Sequence, residues 1–267
     1  MHDLLIPILQ KKQEEVSLLH AAVTDDAQHV LARIMQGEID CRLKRSFAAA
    51  IYRANVIKII AEVKRRSPSL GFLAEIADPT ELAMQYAQGN ASAISVLTDQ
   101  YGFNGSLTDL QQVKTALVKN QIPVLRKDFL IDPLQIAEAI HYGADAILLI
   151  VTVLGDKLTE MLKVAHALQI DALVEVHDAQ EIDLALKAGA KIIGINNRNL
   201  HTFQVDNRLA LKLVDDIPDH IIKIAESGIS DPALAKEYYD AGFAAVLVGE
   251  TLVKSGDPAD WIRRCQL

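Results

Sequence analysis

What this chain has little of narrows it first. It holds only two cysteines, Cys41 and Cys265, near opposite ends of its 267 residues, which argues for a reducing compartment and against a disulfide framework. Positive charge is in deficit: the formal net charge is −8 and the isoelectric point about 5.5, so no basic face awaits a polyanion. Nucleic acid is therefore not an expected partner, although a small anion can still be held locally. Long apolar runs are missing too, the longest, Ala146 to Val151, falling far short of the ~18 residues that a membrane span needs. The segment MHDLLIPILQKKQEEV has no basic stretch ahead of its apolar residues and reads as a helix rather than a signal peptide. No GxGxxG, HExxH or CxxC occurs, which removes common signatures of dinucleotide and metal binding.

What is present is regular. With 50% apolar and 23% charged residues the chain can build a large core, as one barrel-sized domain or two smaller ones. Short apolar runs recur at Ile59 to Lys64, Ser92 to Thr98, Val124 to Phe129, Ala146 to Val153, Asp171 to His177, Lys191 to Asn196, Ile221 to Ser227 and Ala244 to Glu250. Such near-continuous Val, Ile, Leu and Ala runs suit parallel strands buried on both faces. Helical stripes lie between them, the clearest being Leu158, Met161, Leu162, Ala165 and Leu168. Asp78-Pro79, Asp132-Pro133 and Asp231-Pro232 mark helix starts, and Gly89, Gly143, Gly189 and Gly242 are expected as left-handed helix ends. Strict alternation of strand and helix, with no glycine-rich first turn, predicts an α/β fold, a (β/α)8 barrel over residues 1–267, with 1–55 as an N-terminal helical extension.

Within the extension, Leu4, Leu5, Ile8 and Leu9 predict one amphipathic helix running to about His20, interrupted by a charged KKQEE. After a break at Gly37, a second helix is expected from Arg42 to Asn55, with Phe47, Ala48 and Ile51 on one stripe. These helices are expected to plug one end of the barrel; a sharper reading has them also shaping the pocket.

In this fold the carboxyl ends of the strands build the site. Here they supply Glu62 and Lys64, Thr98, Lys127, Thr152, Glu175 and His177, Asn196, Glu226 and Ser227, and Gly249 and Glu250. Side chains alternate along a strand, so Glu62 and Lys64 share a face with Ile60 deeper in. Any one of these charges has an ordinary explanation: Lys127 could pair with Asp128, and Glu175 could be a structural partner for a lysine. Several charges converging on one mouth are harder to explain by packing, because a buried charge is costly unless paired or used. SGIS and VGET each form a small turn into a helix, where backbone N–H groups can bind phosphate; a tight turn needing glycine would leave the same letters.

The motifs IIAEVKRRSPS, VLRKDF, LVEVH, IGINNRNL, IAESGIS and LVGETLV, in this order, resemble the indole-3-glycerol phosphate synthase family over nearly the whole chain. The resemblance implies conversion of 1-(2-carboxyphenylamino)-1-deoxyribulose 5-phosphate into indole-3-glycerol phosphate in the cytoplasm, with no cofactor or metal. It implies a catalytic set of Lys127, Glu175, Lys64, Glu62, Asn196 and Ser227. Lys64, Ser67 and the turns at Gly228, Gly249 and Glu250 would contact the phosphate, and Arg198, Phe103 and Phe129 would also bind the substrate. Association with other tryptophan-pathway enzymes is an expected possibility of that setting. Leu70 and Asn199 depart from the family pattern, standing where lysine and aspartate are common. Two other readings stand beside this one. A phosphoribosylanthranilate isomerase-like barrel would want a Cys and Asp acid-base pair at strand ends, and neither cysteine lies on an expected strand. A non-catalytic scaffold would tolerate loss of the charges, and they are retained. The loop from Arg65 to Ala77 is expected to close over substrate.

Overall fold

Eight parallel strands close into a barrel, each hydrogen-bonded to the next and the first to the last. They are β1 (Lys58–Val63), β2 (Ala93–Leu97), β3 (Val124–Lys127), β4 (Ala146–Ile150), β5 (Asp171–Val176), β6 (Ile192–Asn196), β7 (Ile222–Glu226) and β8 (Ala245–Val248). The structure is a computed structural model that describes residues 5–266 apart from 27, 43, 53, 69, 70, 74 and 203. Leu4 of the expected helical stripe, and Leu70 with its neighbour Ser69, lie outside the described residues.

The apolar runs split by strand parity into two cores. Ile60, Ala93, Leu125, Leu148, Leu173, Ile192, Ile224 and Ala245 fill the barrel interior. Their neighbours Ile59, Ala61, Ile94, Val124, Ile147, Val174, Ile193 and Val246 pack outward against the helices. Burial on both faces is why the strands read as continuous apolar runs rather than as alternating ones.

Asp78, Asp132 and Asp231 cap their helices as expected, each carboxylate accepting a backbone N–H of the first turn beside a proline. Gly143, Gly189 and Gly242 are left-handed, at φ 88°, 90° and 108°. Gly89 is a correction: it is right-handed at φ −74°, and Asn90 takes the left-handed position at φ 68°. Glycine is needed at 89 for space, since a Cβ there would strike the backbone of Ala259 in the last helix.

The extension serves both ends of the barrel. Helix α1 (Leu5–Asp25) is longer than expected, and α2 (Val30–Met35) packs on the helix Pro133–His141. The expected helix from Arg42 to Asn55 shrinks to α3 (Phe47–Ala50). The reason lies in the backbone: the Arg45 N–H donates to Asp145 and the Ala48 N–H to Asp171, at the amino ends of β4 and β5, instead of to a helical carbonyl. Phe47 and Ile51, both fully buried, thereby close the amino end of the interior core. At the opposite end α1 lies over the mouth, where Lys12, read from KKQEE as part of a charged surface, is buried against Asp99 at 3.1 Å and Asp128 at 2.9 Å. Leu5 and Ile8 join the cluster that contains Phe129, with Phe103 packed against it. Plugging and pocket-shaping both occur, in different parts of the extension.

Candidate active site

A cavity of about 420 Å³ opens at the carboxyl ends of the strands, and every site residue expected from the sequence lines it: Glu62, Lys64, Ser67, Phe103, Lys127, Phe129, Glu175, Asn196, Arg198, Ser227, Gly228, Gly249 and Glu250. Strand parity puts them there, since Glu62, Glu175 and Asn196 share inward faces with Ile60, Leu173 and Ile192. Four polar strand ends do not line the cavity, Glu226 among them, which pairs with Lys127 at 3.3 Å. Thr98 faces outward and donates to Asp128 at 2.6 Å, Thr152 lies in the short helix Val151–Leu154, and His177 stands behind Glu175 rather than beside the cavity.

Lys127 is the centre of the charge cluster. Its ammonium lies 3.1 Å from Glu175 and 3.3 Å from Glu226, and it is not paired with Asp128, whose partners are Lys12, Arg126 and Thr98. Burial alone would drive the proton off Lys127; Glu175, Glu226 and Glu62 outweigh it and raise the pKa well above the ordinary lysine range. Glu175 and Glu226 share this lysine yet are pushed apart. Burial acts to raise both, but Lys127, His177 and Asn196 pull Glu175 below the usual carboxylate range. For Glu226 burial prevails over Lys127, with the neighbouring Glu175 adding to it, and its carboxyl rises to about 7. Sequence reading named Glu226 at its strand end but left it out of the site. Its signal is position: it faces inward in register with Ile224, toward Gly194, where a Cβ would collide with its carboxylate.

The second lysine, Lys64, is held by Glu62 at 2.6 Å. Gly249 keeps that pair in place, because a Cβ there would meet the Glu62 carboxylate and crowd the Lys64 ammonium. Ser227 and Gly228 are consecutive left-handed residues, at φ 63° and 74°, and Asn197 pins the turn by donating to the Ser227 carbonyl at 3.0 Å. Glu250 does not project freely: Lys254 holds its carboxylate at 2.7 Å, with Arg198 at 3.9 Å. The Asn196 side chain accepts the Arg198 N–H at 3.0 Å. Asn199 sits apart, its carboxamide closing a turn with the N–H groups of His201 and Thr202.

Beside the charges the cavity has an apolar wall of Leu97, Phe103, Phe129, Leu148, Ile150 and Leu247, with the two phenylalanine rings 6.2 Å apart. Above it the loop after β1 folds into a short antiparallel pair, Arg66–Ser67 with Gly71–Phe72, and Arg65 at its root pairs with Asp109. Among the described residues no group of three or more His, Cys, Asp or Glu could hold a metal ion.

A closed (β/α)8 barrel whose mouth joins two lysines and several carboxylates to an apolar wall and glycine-rich turns defines an enzyme acting on a small anionic substrate with an apolar part. Solved barrels share the fold at low identity. A 3-hexulose-6-phosphate synthase matches with a TM-score of 0.63 at 17% identity, covering 78% of this chain and 98% of that one. A thiamine phosphate pyrophosphorylase from Pyrococcus furiosus gives 0.60 at 16%, covering 78% and 93%. Sequence is more specific. The profile of the indole-3-glycerol phosphate synthase family matches residues 5–265. Indole-3-glycerol phosphate synthases from Kineococcus radiotolerans and Mycolicibacterium vanbaalenii are 52% and 46% identical, the first over 76% of this chain and 73% of its own length, the second over 94% and 89%. The chain belongs to the indole-3-glycerol phosphate synthase family. It is accordingly a carbon-carbon lyase of tryptophan biosynthesis.

Proposed function

We propose that Lys127 delivers the proton that drives ring closure when 1-(2-carboxyphenylamino)-1-deoxyribulose 5-phosphate is converted to indole-3-glycerol phosphate. The aromatic carbon attacks the ribulose carbonyl, and the Lys127 ammonium protonates the carbonyl oxygen while stabilising its developing charge. Loss of carbon dioxide then restores the ring. Dehydration needs an acid for the departing hydroxyl and a base for the remaining proton, and these roles go to Lys64 and Glu175. Glu62 holds Lys64, and Asn196 and Ser227 position Glu175 and the substrate hydroxyls.

The observation that carries this reading is geometric: at the cavity, the Lys127 ammonium lies 3.1 Å from the Glu175 carboxylate and 3.3 Å from Glu226, so an acid and a base stand side by side where the substrate binds. The apolar wall suits the carboxyphenyl ring. Ser67, Lys64 and the turns at Gly228, Gly249 and Glu250 suit the phosphate, and Arg198 the chain between. Residues 1–267 act as one barrel domain, 1–55 being its extension. The enzyme works in the cytoplasm on this phosphorylated substrate, without nucleic acid. No described helix is long and apolar enough to cross a membrane. Fluorescence detection of indole formation tests the central reading: the parent enzyme turns over, and Glu175→Gln, which keeps the shape and removes the base, does not. Turnover by Glu175→Gln within a few-fold of the parent would refute the assignment.

A further inference from the structure

Glu175 has a second charged neighbour that the proposed chemistry leaves unused. One carboxylate oxygen accepts from Lys127 at 3.1 Å, and the other lies 3.4 Å from Nε2 of His177, a charge contact in which neither atom makes a hydrogen bond. On the far side of the ring, Nδ1 donates to Glu181 at 3.0 Å, and the same Glu181 oxygen accepts the backbone N–H of His177 at 2.7 Å. Thr152, from the short helix that follows β4, donates to the other Glu181 oxygen at 2.5 Å and lies 3.2 Å from Nδ1. The ring is thus hydrogen-bonded to Glu181 on one side, set against the Glu175 carboxylate on the other, and backed by a hydroxyl from a third element.

Helix capping accounts for only part of this. Glu181 sits in the first turn of the helix Ala179–Ala188, whose start Asp178 caps by accepting the Glu181 N–H. A capping box would put the Glu181 carboxylate on the Asp178 N–H, whereas it takes the N–H of His177, one residue earlier. Capping does not explain a side chain that also grips the imidazole, or a threonine from another element fixing the carboxylate behind it.

We propose that His177 and Glu181 are positioning residues for the reaction: the imidazole, fixed from behind by Glu181 and Thr152, holds Glu175 with one oxygen on the ring and the other on Lys127. The titratable groups facing the ring are Glu175 on its own strand and Glu181 on the next helix; the element after β4 contributes the neutral Thr152, and Lys127 and Glu226 act on the ring through Glu175. Burial alone would discharge the imidazole, but Glu175 and Glu181 more than offset it and raise its pKa to about 10, so the ring is an imidazolium at neutral pH. The consequence concerns the moment of reaction. When Lys127 turns to the substrate oxygen, Glu175 still has a cation to keep it ionised and aimed.

The proposal rests on the reading of Glu175 as the base, so its test separates the two. His177→Gln retains an amide donor for Glu175 but no charge. Glu181→Gln retains an oxygen for the His177 N–H, and with it the helix start, but removes the anion behind the ring. Each variant is expected to lower kcat about 10-fold and leave KM within about 2-fold. Each is also expected to move the acid limb of the kcat profile upward by about one pH unit, because the positive charge favouring ionised Glu175 is lost or weakened. A fall in kcat with the acid limb unmoved would mean that the pair is merely structural and would overturn the proposal, as would unchanged kcat. Should His177→Gln fail to fold, Glu181→Gln decides by the same two readings, with circular dichroism confirming its fold. Glu175→Gln is the separate control: if it keeps its kcat, the base assignment itself falls, whatever the other variants do.

Discussion

Lys127 and Asp128 are neighbours in the chain, and each sits in a buried charge cluster, but the two clusters are built differently. Around Asp128, at the rim of the cavity, the carboxylate itself is fully matched: it receives Lys12, Arg126, the Thr98 hydroxyl and the Phe129 N–H. Arg126 in turn also reaches Glu138 and the Gln135 carbonyl. Lys12 and Arg126 outweigh burial and hold the Asp128 carboxyl down at about 2. Around Lys127, facing inward, the matching is incomplete. Two carboxylates share one ammonium, and neither oxygen of Glu226 makes a hydrogen bond. Buried polar groups in folded proteins are nearly always satisfied. The Asp128 carboxylate is therefore satisfied in the free protein, whereas the Glu226 carboxylate beside Lys127 keeps capacity for a partner, and removing a cation from each cluster should separate an effect on activity from an effect on stability.

The sharpest test of that contrast is Lys127→Met. It should lower kcat by about 10²-fold or more while leaving the circular dichroism spectrum close to the parent's. A variant within a few-fold of parental activity would erase the distinction. The mirror experiment is Lys12→Met, which strips the cation from a saturated pair. It should destabilise the fold by roughly 3 kcal/mol in denaturant titration, because Asp99 and Asp128 are left buried without their shared partner. A neutral effect would show that the outer cluster is not structural.

Smaller effects refine the picture within the mouth. Gly249→Ala introduces a Cβ against the Glu62 carboxylate at a backbone position, φ −118°, that alanine tolerates. Steady-state kinetics should show KM raised roughly 10-fold with the fold unchanged, since small displacements of positioned groups are costly. The mildest change is Glu226→Gln. The folded-state pKa of Glu226 is raised from 4.5 to about 7, so between those values the folded chain binds more protons than the unfolded one. This group then makes stability fall as pH climbs through that window. The variant lacks the decline, so its melting temperature should gain on the parent's from about pH 5 to about pH 8. A constant gap would place Glu226 outside the titrating cluster.

Much of this was legible in the sequence, and the exceptions have physical causes. The strands announced themselves because both of their faces are apolar, and the mouth because charges interrupt those runs at inward positions. Thr152 misled because the run Ala146 to Val153 continues from strand into helix with no break in apolar character. Lys12 was hidden for another reason. On a helix surface KKQEE reads as solvated charge, and only the loops after β2 and β3, brought close by barrel closure, show that one of its lysines is buried. The expected helix from Arg42 was shortened by contacts equally distant in sequence, such as Ala48 to Asp171, 123 residues away. Local pattern carries strand parity and helix caps; it cannot carry ion pairs that close long loops.

The two-ended attachment of the extension also has a consequence for how the chain becomes folded. Its anchors are all made later than itself: α1 needs Asp99 and Asp128, the His20 side chain meets Asp132 across 112 residues, and α3 needs Asp145 and Asp171. Synthesis must pass Asp132 before the anchors of α1 exist, and must reach Asp171 at the start of β5 before those of α3 do. Until then α1 carries an ammonium and an apolar stripe that both await burial, and the long loops that must close before either is covered make this docking entropically expensive and slow. The segment that is born first is thus among the last to settle, and when it does, it seals the amino end and completes the mouth in one event.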